Sequence, residues 1–143
     1  MVRASYISGE SALAFHGLIP DYVPVITSVT TQRPAQWTNE FGDFLFQHIK
    51  VELFFGYAPV DFEGKQQAFL ATPEKALIDL IYLRAGADSI DFLAGLRLQH
   101  LDRVDFSRLD EYVARTGSAK LARAAKHIRT LAKDEAQDYE VLR

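Results

Sequence analysis

The chain of 143 residues contains no cysteine. That one absence excludes disulfide frameworks, thiolate zinc sites and cysteine nucleophiles, and it suits a reducing compartment. Long apolar runs are missing as well. None approaches the ~20 residues that span a bilayer, and the first residues lack a signal-peptide core. A soluble, cytoplasmic protein with no membrane attachment is therefore expected. No glycine-rich phosphate loop and no G-x-S-x-G elbow occurs. The histidines (His16, His48, His100 and His127) fall into neither H-x-x-x-H nor H-E-x-x-H spacing, so no metal and no cofactor are expected.

Overall charge is also scarce, at −3, but it is unevenly spread. Residues 1–100 hold 7 Lys/Arg against 11 Asp/Glu, whereas residues 101–143 hold 9 against 8. Positions 112–133 carry six basic residues and no acid. A local excess of this kind governs binding where the net charge does not.

What is present reads as one ordinary domain with a helical tail. "YISGESALAFHGLIP" predicts a short first helix with Ser8 as N-cap, Glu10 in the first turn and Gly17 at its end. "VPVITSVT" is rich in β-branched residues and predicts a strand over 25–30. A hairpin follows with its turn near Asn39–Gly42, and its outgoing strand places Phe44, Phe46 and His48 on one side. Two more extended pieces meet at a turn at Glu63–Gly64, and Pro59 argues for an edge strand or a bend there. "ATPEKALIDLIYL" predicts a helix started by Thr72 and Pro73. Three helical segments complete the chain, the second capped by Ser107 and the third by Ser118. In the last, Arg123, Lys126, Arg129 and Lys133 gather opposite an alanine/leucine seam.

Four groupings carry chemical interest. Glu74, Lys75 and Asp79 lie within two helical turns, but Lys75 and Asp79 are four apart and read most simply as a surface pair worth ~0.3–0.5 kcal/mol. Acid–base work would require a cleft and a partner that the sequence does not display. Pro20–Asp21 with Glu63–Gly64–Lys65 imitates the PD-(D/E)xK nuclease pattern, in which two carboxylates hold a metal and a lysine activates water. Gly64 favours a turn there, which would break the alternation that this chemistry requires. The basic face of the final helix suits phosphate contacts or an acidic partner, but a solvated surface fits it slightly better, since no aromatic residues are interleaved with the basic ones. "DEYVARTGSAKLARAAKHIR" imitates a helix-turn-helix, although its continuous apolar seam fits a packed helical hairpin just as well.

Taken together, "YISGESALAFHGLIPDYVPVITSVTT", "FGDFLFQHIK", "LFFGY" and "ATPEKALIDLIYL" resemble the AbiEi family of antitoxins, followed by a similar helical tail at Leu109–Ala124. The resemblance covers nearly the whole chain and corresponds to the family's C-terminal domain, without the N-terminal winged helix-turn-helix. It implies a non-enzymatic partner in a type IV toxin–antitoxin (abortive infection) system that opposes a nucleotidyltransferase-like toxin during phage defence. Autoregulatory DNA binding belongs to the module that precedes this domain in the family.

The expectation is thus an α+β domain over 1–100, with a mostly antiparallel sheet of four or five strands, and a helical extension over 101–143 packed on it. Leu13, Ile26, Phe44, Phe46, Phe54, Leu77, Leu80 and Ile81 are the expected core. Arg123, Lys126, Arg129 and Lys133 are the expected contact for nucleic acid or an acidic partner, with Glu74, Lys75 and Asp79 as an additional recognition surface. The rival expectations are a metal-dependent nuclease and a stand-alone DNA-binding transcriptional regulator.

Overall fold

A computed structural model describes residues 4–21, 23–40, 42–62 and 66–141. The chain forms an α+β structure with one six-stranded mixed sheet. Its elements in order are β1 (Ser5–Ile7), α1 (Gly9–Phe15), β2 (Val25–Thr30), β3 (Ala35–Asn39), β4 (Gly42–His48), β5 (Tyr57–Phe62), β6 (Gln66–Ala71) and four further helices. Those are α2 (Pro73–Leu83), α3 (Ile90–Gly95), α4 (Phe106–Thr116) and α5 (Ala119–Val141). Among the described residues, no helix is long and apolar enough to cross a membrane.

The strands lie in the order β3-β4-β2-β1-β6-β5. Three pairings are antiparallel, while β1–β6 and β2–β4 are parallel. The sheet therefore has one strand more than expected and is less antiparallel. The extra strand is β1, whose three residues lack the length of an alternating pattern and run directly into α1. Short as it is, β1 joins the two halves of the sheet: Tyr6 is opposite Val29 of β2, and Ile7 is opposite Leu70 of β6. The expected hairpin forms as β3–β4, with Asn39 opposite Gly42. Pro59 does lie in an edge strand, where its missing N–H costs no ladder bond. Residues 63–65, expected to form the second hairpin turn, lie outside the described residues.

Helix starts follow local chemistry. Thr72 accepts from the Lys75 N–H at 3.2 Å, and Pro73 occupies the first turn of α2. Ser118 accepts from the Leu121 N–H at 3.2 Å. The start of α4 differs from expectation: Asp105, not Ser107, accepts from the Arg108 N–H, at 3.1 Å. Gly117, at φ +67°, ends α4 in the left-handed region.

The core is one continuous cluster, built from Leu13 and Leu18 through Leu77 and Ile81 to Leu109, Leu121 and Ile128. Residues from 101 onward are part of it, so α4 and α5 pack on α2 rather than hanging from the sheet. Four expected core residues are not fully buried. Ile26, Phe44 and Phe46 alternate onto the face opposite Thr27 and Leu45, and it is Thr27 that α1 approaches. Both faces of β2 and β4 are apolar, so period-two alternation cannot tell which one the helices will choose. Phe54 is half-buried against Tyr6 and Tyr57.

The cap assignment is testable by urea denaturation. Asp105→Ala should lower stability by about 1 kcal/mol, and Ser107→Ala should change it by well under half of that. Equal effects would contradict the observed start of α4.

Candidate functional site

Helix α2 is apolar on nearly every side, with Ala76, Leu77, Ile78, Leu80 and Ile81 all buried. A helix of that kind has no solvated stripe on which to place its charges. Glu74, Lys75 and Asp79 are accordingly buried, with relative exposures of 1%, 0% and 0%. The expected recognition surface on these three residues is corrected by this burial: they face the interior and offer nothing to a partner. Lys75–Asp79 is not a surface pair but an ion pair sealed inside the protein.

Its geometry is complete. Lys75 Nζ donates to Asp79 Oδ1 at 2.5 Å, to the Tyr6 hydroxyl at 2.8 Å and to the Leu53 carbonyl at 2.6 Å. Asp79 Oδ2 in turn accepts from the Tyr6 and Ser8 hydroxyls, both at 2.7 Å. An ammonium has three donors, and all three are used; an ionised carboxylate only accepts, and this one accepts three times. The same contacts are satisfied by an ammonium beside a carboxylate and by an amine that accepts the proton of a carboxylic acid, because the proton shared between Nζ and Oδ1 completes the set in either place.

Burial opposes both charges. Desolvation pulls the Lys75 ammonium below its usual range and pushes the Asp79 carboxyl above its own, while each partner's charge works in the opposite direction. Tyr6 is raised above the usual phenol range, by burial first and then by the neighbouring Asp79. It therefore serves the pair as a neutral relay, receiving from Lys75 and donating to Asp79.

Aromatic rings close the site. Lys75 Nζ lies 4.6 Å from the centre of the Phe55 ring, and Arg115 of α4 stands 3.8 Å from that same centre. Tyr112, also of α4, meets Phe55 edge-on at 5.1 Å. Gly56, at φ +80°, admits the lysine stem: a β-carbon there would come within 2.8 Å of Lys75 Cγ. Ser8 shows what the site demands. It stands at the N-cap position of α1 as expected, yet makes no capping bond because its hydroxyl is directed to Asp79. Glu74 points the other way along α2, accepting from the Asp105 N–H at 3.0 Å and from Arg108 at 3.4 Å, and so anchors the start of α4.

The basic residues of α5 divide into two kinds. Arg129 forms a two-pronged pair with Asp110 at 2.6 and 2.7 Å, and Arg123 reaches Asp88 at 3.0 Å. These arginines hold the Asp110 and Asp88 carboxyls below their usual range. Stability gained from such a depressed carboxyl is present above the unfolded value and is lost as pH falls through the folded one. Lys126 and Lys133 are exposed and make no ion pair among the described residues.

Of the nuclease pattern, Asp21 pairs with Arg97, and Glu63 and Lys65 lie outside the described residues. Among the described residues, no group of three or more His, Asp or Glu side chains could hold a metal ion. Two open grooves lie among the described residues. One, of about 300 Å³, runs between α2 and strands β2 and β4, with Thr27, Leu45, Leu80 and Leu83 in its lining and Glu10 and Arg84 paired at 2.9 Å beside them. The other, of about 640 Å³, lies along α5 between His100, Phe106, Glu135 and Tyr139. Comparison with family models, curated proteins and solved structures finds no match for the chain.

The ion pair makes a double-mutant prediction. Lys75→Met or Asp79→Leu alone strands a buried charge and should cost about 3–5 kcal/mol in urea unfolding. The two together should cost at least ~1 kcal/mol less than the worse single substitution. Additive losses would mean that the two groups do not act as a pair.

Proposed function

We propose that the chain is an antitoxin-type domain of a bacterial phage-defence toxin–antitoxin system of type IV, acting in the cytoplasm without catalysis of its own. It opposes a nucleotidyltransferase-like toxin. The observation that carries this reading is the set of partners gathered by Lys75 and Asp79. Tyr6 and Ser8 come from "YISGES", the Leu53 carbonyl and Phe55 from "LFFGY", and Lys75 and Asp79 from "ATPEKALIDLIYL". With "FGDFLFQHIK" they are the segments that resemble the AbiEi family, and these three interlock at one point although 22 to 71 residues separate the bonded groups of different segments. A chance likeness of scattered motifs has no reason to converge in this way. The resemblance is therefore best understood as the signature of a shared domain core.

On this reading the charged residues of α2 hold the platform together, and the work is done at its outer surface. Lys126 and Lys133 are the best placed of the basic set for contact with nucleic acid or an acidic protein, since Arg123 and Arg129 already neutralise acids of the same domain. The deciding experiment is co-expression with a nucleotidyltransferase-like toxin of the type IV class. The wild-type chain is expected to restore growth, and Lys126→Glu/Lys133→Glu is expected to reduce that protection while leaving the circular dichroism spectrum unchanged. Failure of the wild-type chain to protect would refute the antitoxin reading. Full protection by the doubly reversed variant would remove only the basic face.

A further inference from the structure

The groove between α2 and strands β2 and β4 has an apolar body and a charged rim. Val23, Val25, Val29, Leu45, Leu80 and Leu83 line a volume of about 300 Å³, which is at the small end of the range for ligand sites. Thr27 and Gln47 lie on its sheet wall, beside Leu45 and Val29. Neither of these two polar side chains has a hydrogen-bond partner among the described residues. A hydroxyl and a carboxamide, each able to donate and to accept, are thus left facing an otherwise apolar space.

The rim indicates the ligand. Glu10 of α1 meets Arg84, at the end of α2, through one bond of 2.9 Å from Arg84 Nη2 to Glu10 Oε1. The Phe92 ring, 5.5 Å from Arg84 Cζ, supports the guanidinium. Among the described residues the second carboxylate oxygen and the other guanidinium N–H groups of this pair are not used. Both side chains also stay open to solvent. A plain anion or a plain cation at such a rim gains one attraction and meets one repulsion. A zwitterion laid head to tail along the pair gains both attractions, its ammonium on Glu10 and its carboxylate on Arg84, and the Glu10–Arg84 bond stays intact. An α-amino acid holds those two groups one carbon apart, and its side chain leaves from that same carbon. We propose that this groove binds a free α-amino acid whose aliphatic side chain, of valine or leucine size, fills the apolar body. The inference is independent of the antitoxin reading, and growth rescue plays no part in its test.

Isothermal titration calorimetry with leucine, joined to amide chemical-shift mapping on the isotope-labelled chain, tests it. Leucine should bind with a dissociation constant of about 1 mM or below, shifting the amides of Glu10, Thr27, Leu45 and Arg84. Leucinamide lacks the carboxylate, isocaproate lacks the ammonium and glycine lacks the side chain; each should bind about tenfold or more weakly. Glu10→Gln and Arg84→Gln should each weaken leucine about tenfold with the circular dichroism spectrum unchanged. Leu45→Trp, which fills the groove from a half-buried position, should abolish binding. Should that variant fail to fold, the ligand series decides alone. No heat and no shifts at about 10 mM leucine overturn the proposal. So does leucinamide or isocaproate binding as tightly as leucine, or shifts confined to the groove along α5. A nucleoside that enters the groove when leucine does not would equally overturn the assignment of the ligand.

Discussion

Everything in this fold converges on a lysine and an aspartate that share one turn of α2 and see no water. A buried ion pair is a poor source of net stability, because desolvating two charges costs about as much as their attraction returns. Its value lies in specificity. The Lys75 ammonium must find three acceptors and the Asp79 carboxylate must be served by donors, and only one arrangement of the chain delivers Tyr6, Ser8 and the Leu53 carbonyl together. The short central strand, the turn ahead of β5 and the main helix are thus held in a single mutual register. Packing of Phe55 under Arg115 and Tyr112 extends that register to α4.

Much of the architecture could be seen in the sequence where the signal was local. Thr72 and Pro73 announced α2, Ser118 announced α5, Gly117 marked the break before it, and the β3–β4 turn fell at Asn39–Gly42. Pro59, which allowed either an edge strand or a bend, lies in an edge strand. What escaped was set by distant chain. A three-residue strand has no periodicity to detect, and the sheet order depends on pairings such as Ile7 with Leu70. The face of β4 that packs on the helices could not be chosen, because Phe44 and Phe46 look as suitable as Leu45.

The buried pair was misjudged for an instructive reason. Four-residue spacing of opposite charges usually marks an exposed helix face. The contrary signal was the rest of α2, whose apolar residues surround the helix and leave the charges no water to face. Gly56 is a second such feature, since glycine lets a neighbour approach the backbone closely, here the stem of Lys75. Neither hint names the partners. Tyr6 and Ser8 lie 69 and 71 residues away from the groups they bind, beyond the reach of any local pattern. The cap assignment of Ser107 failed more simply, because Asp105 lies two residues earlier and is held in place by Glu74.

Placing Pro59 and Asp61 in β5 has a consequence for growth as well as for shape. A sheet that could accept neighbours on both sides would extend without limit, as stacked strands do in fibrils. A missing N–H at Pro59 and a carboxylate at Asp61 refuse the β5 border, so addition in that direction stops at the outer strand. Open-ended stacking needs both borders of a sheet, so two residues of one outer strand are enough to keep the molecule from seeding a filament.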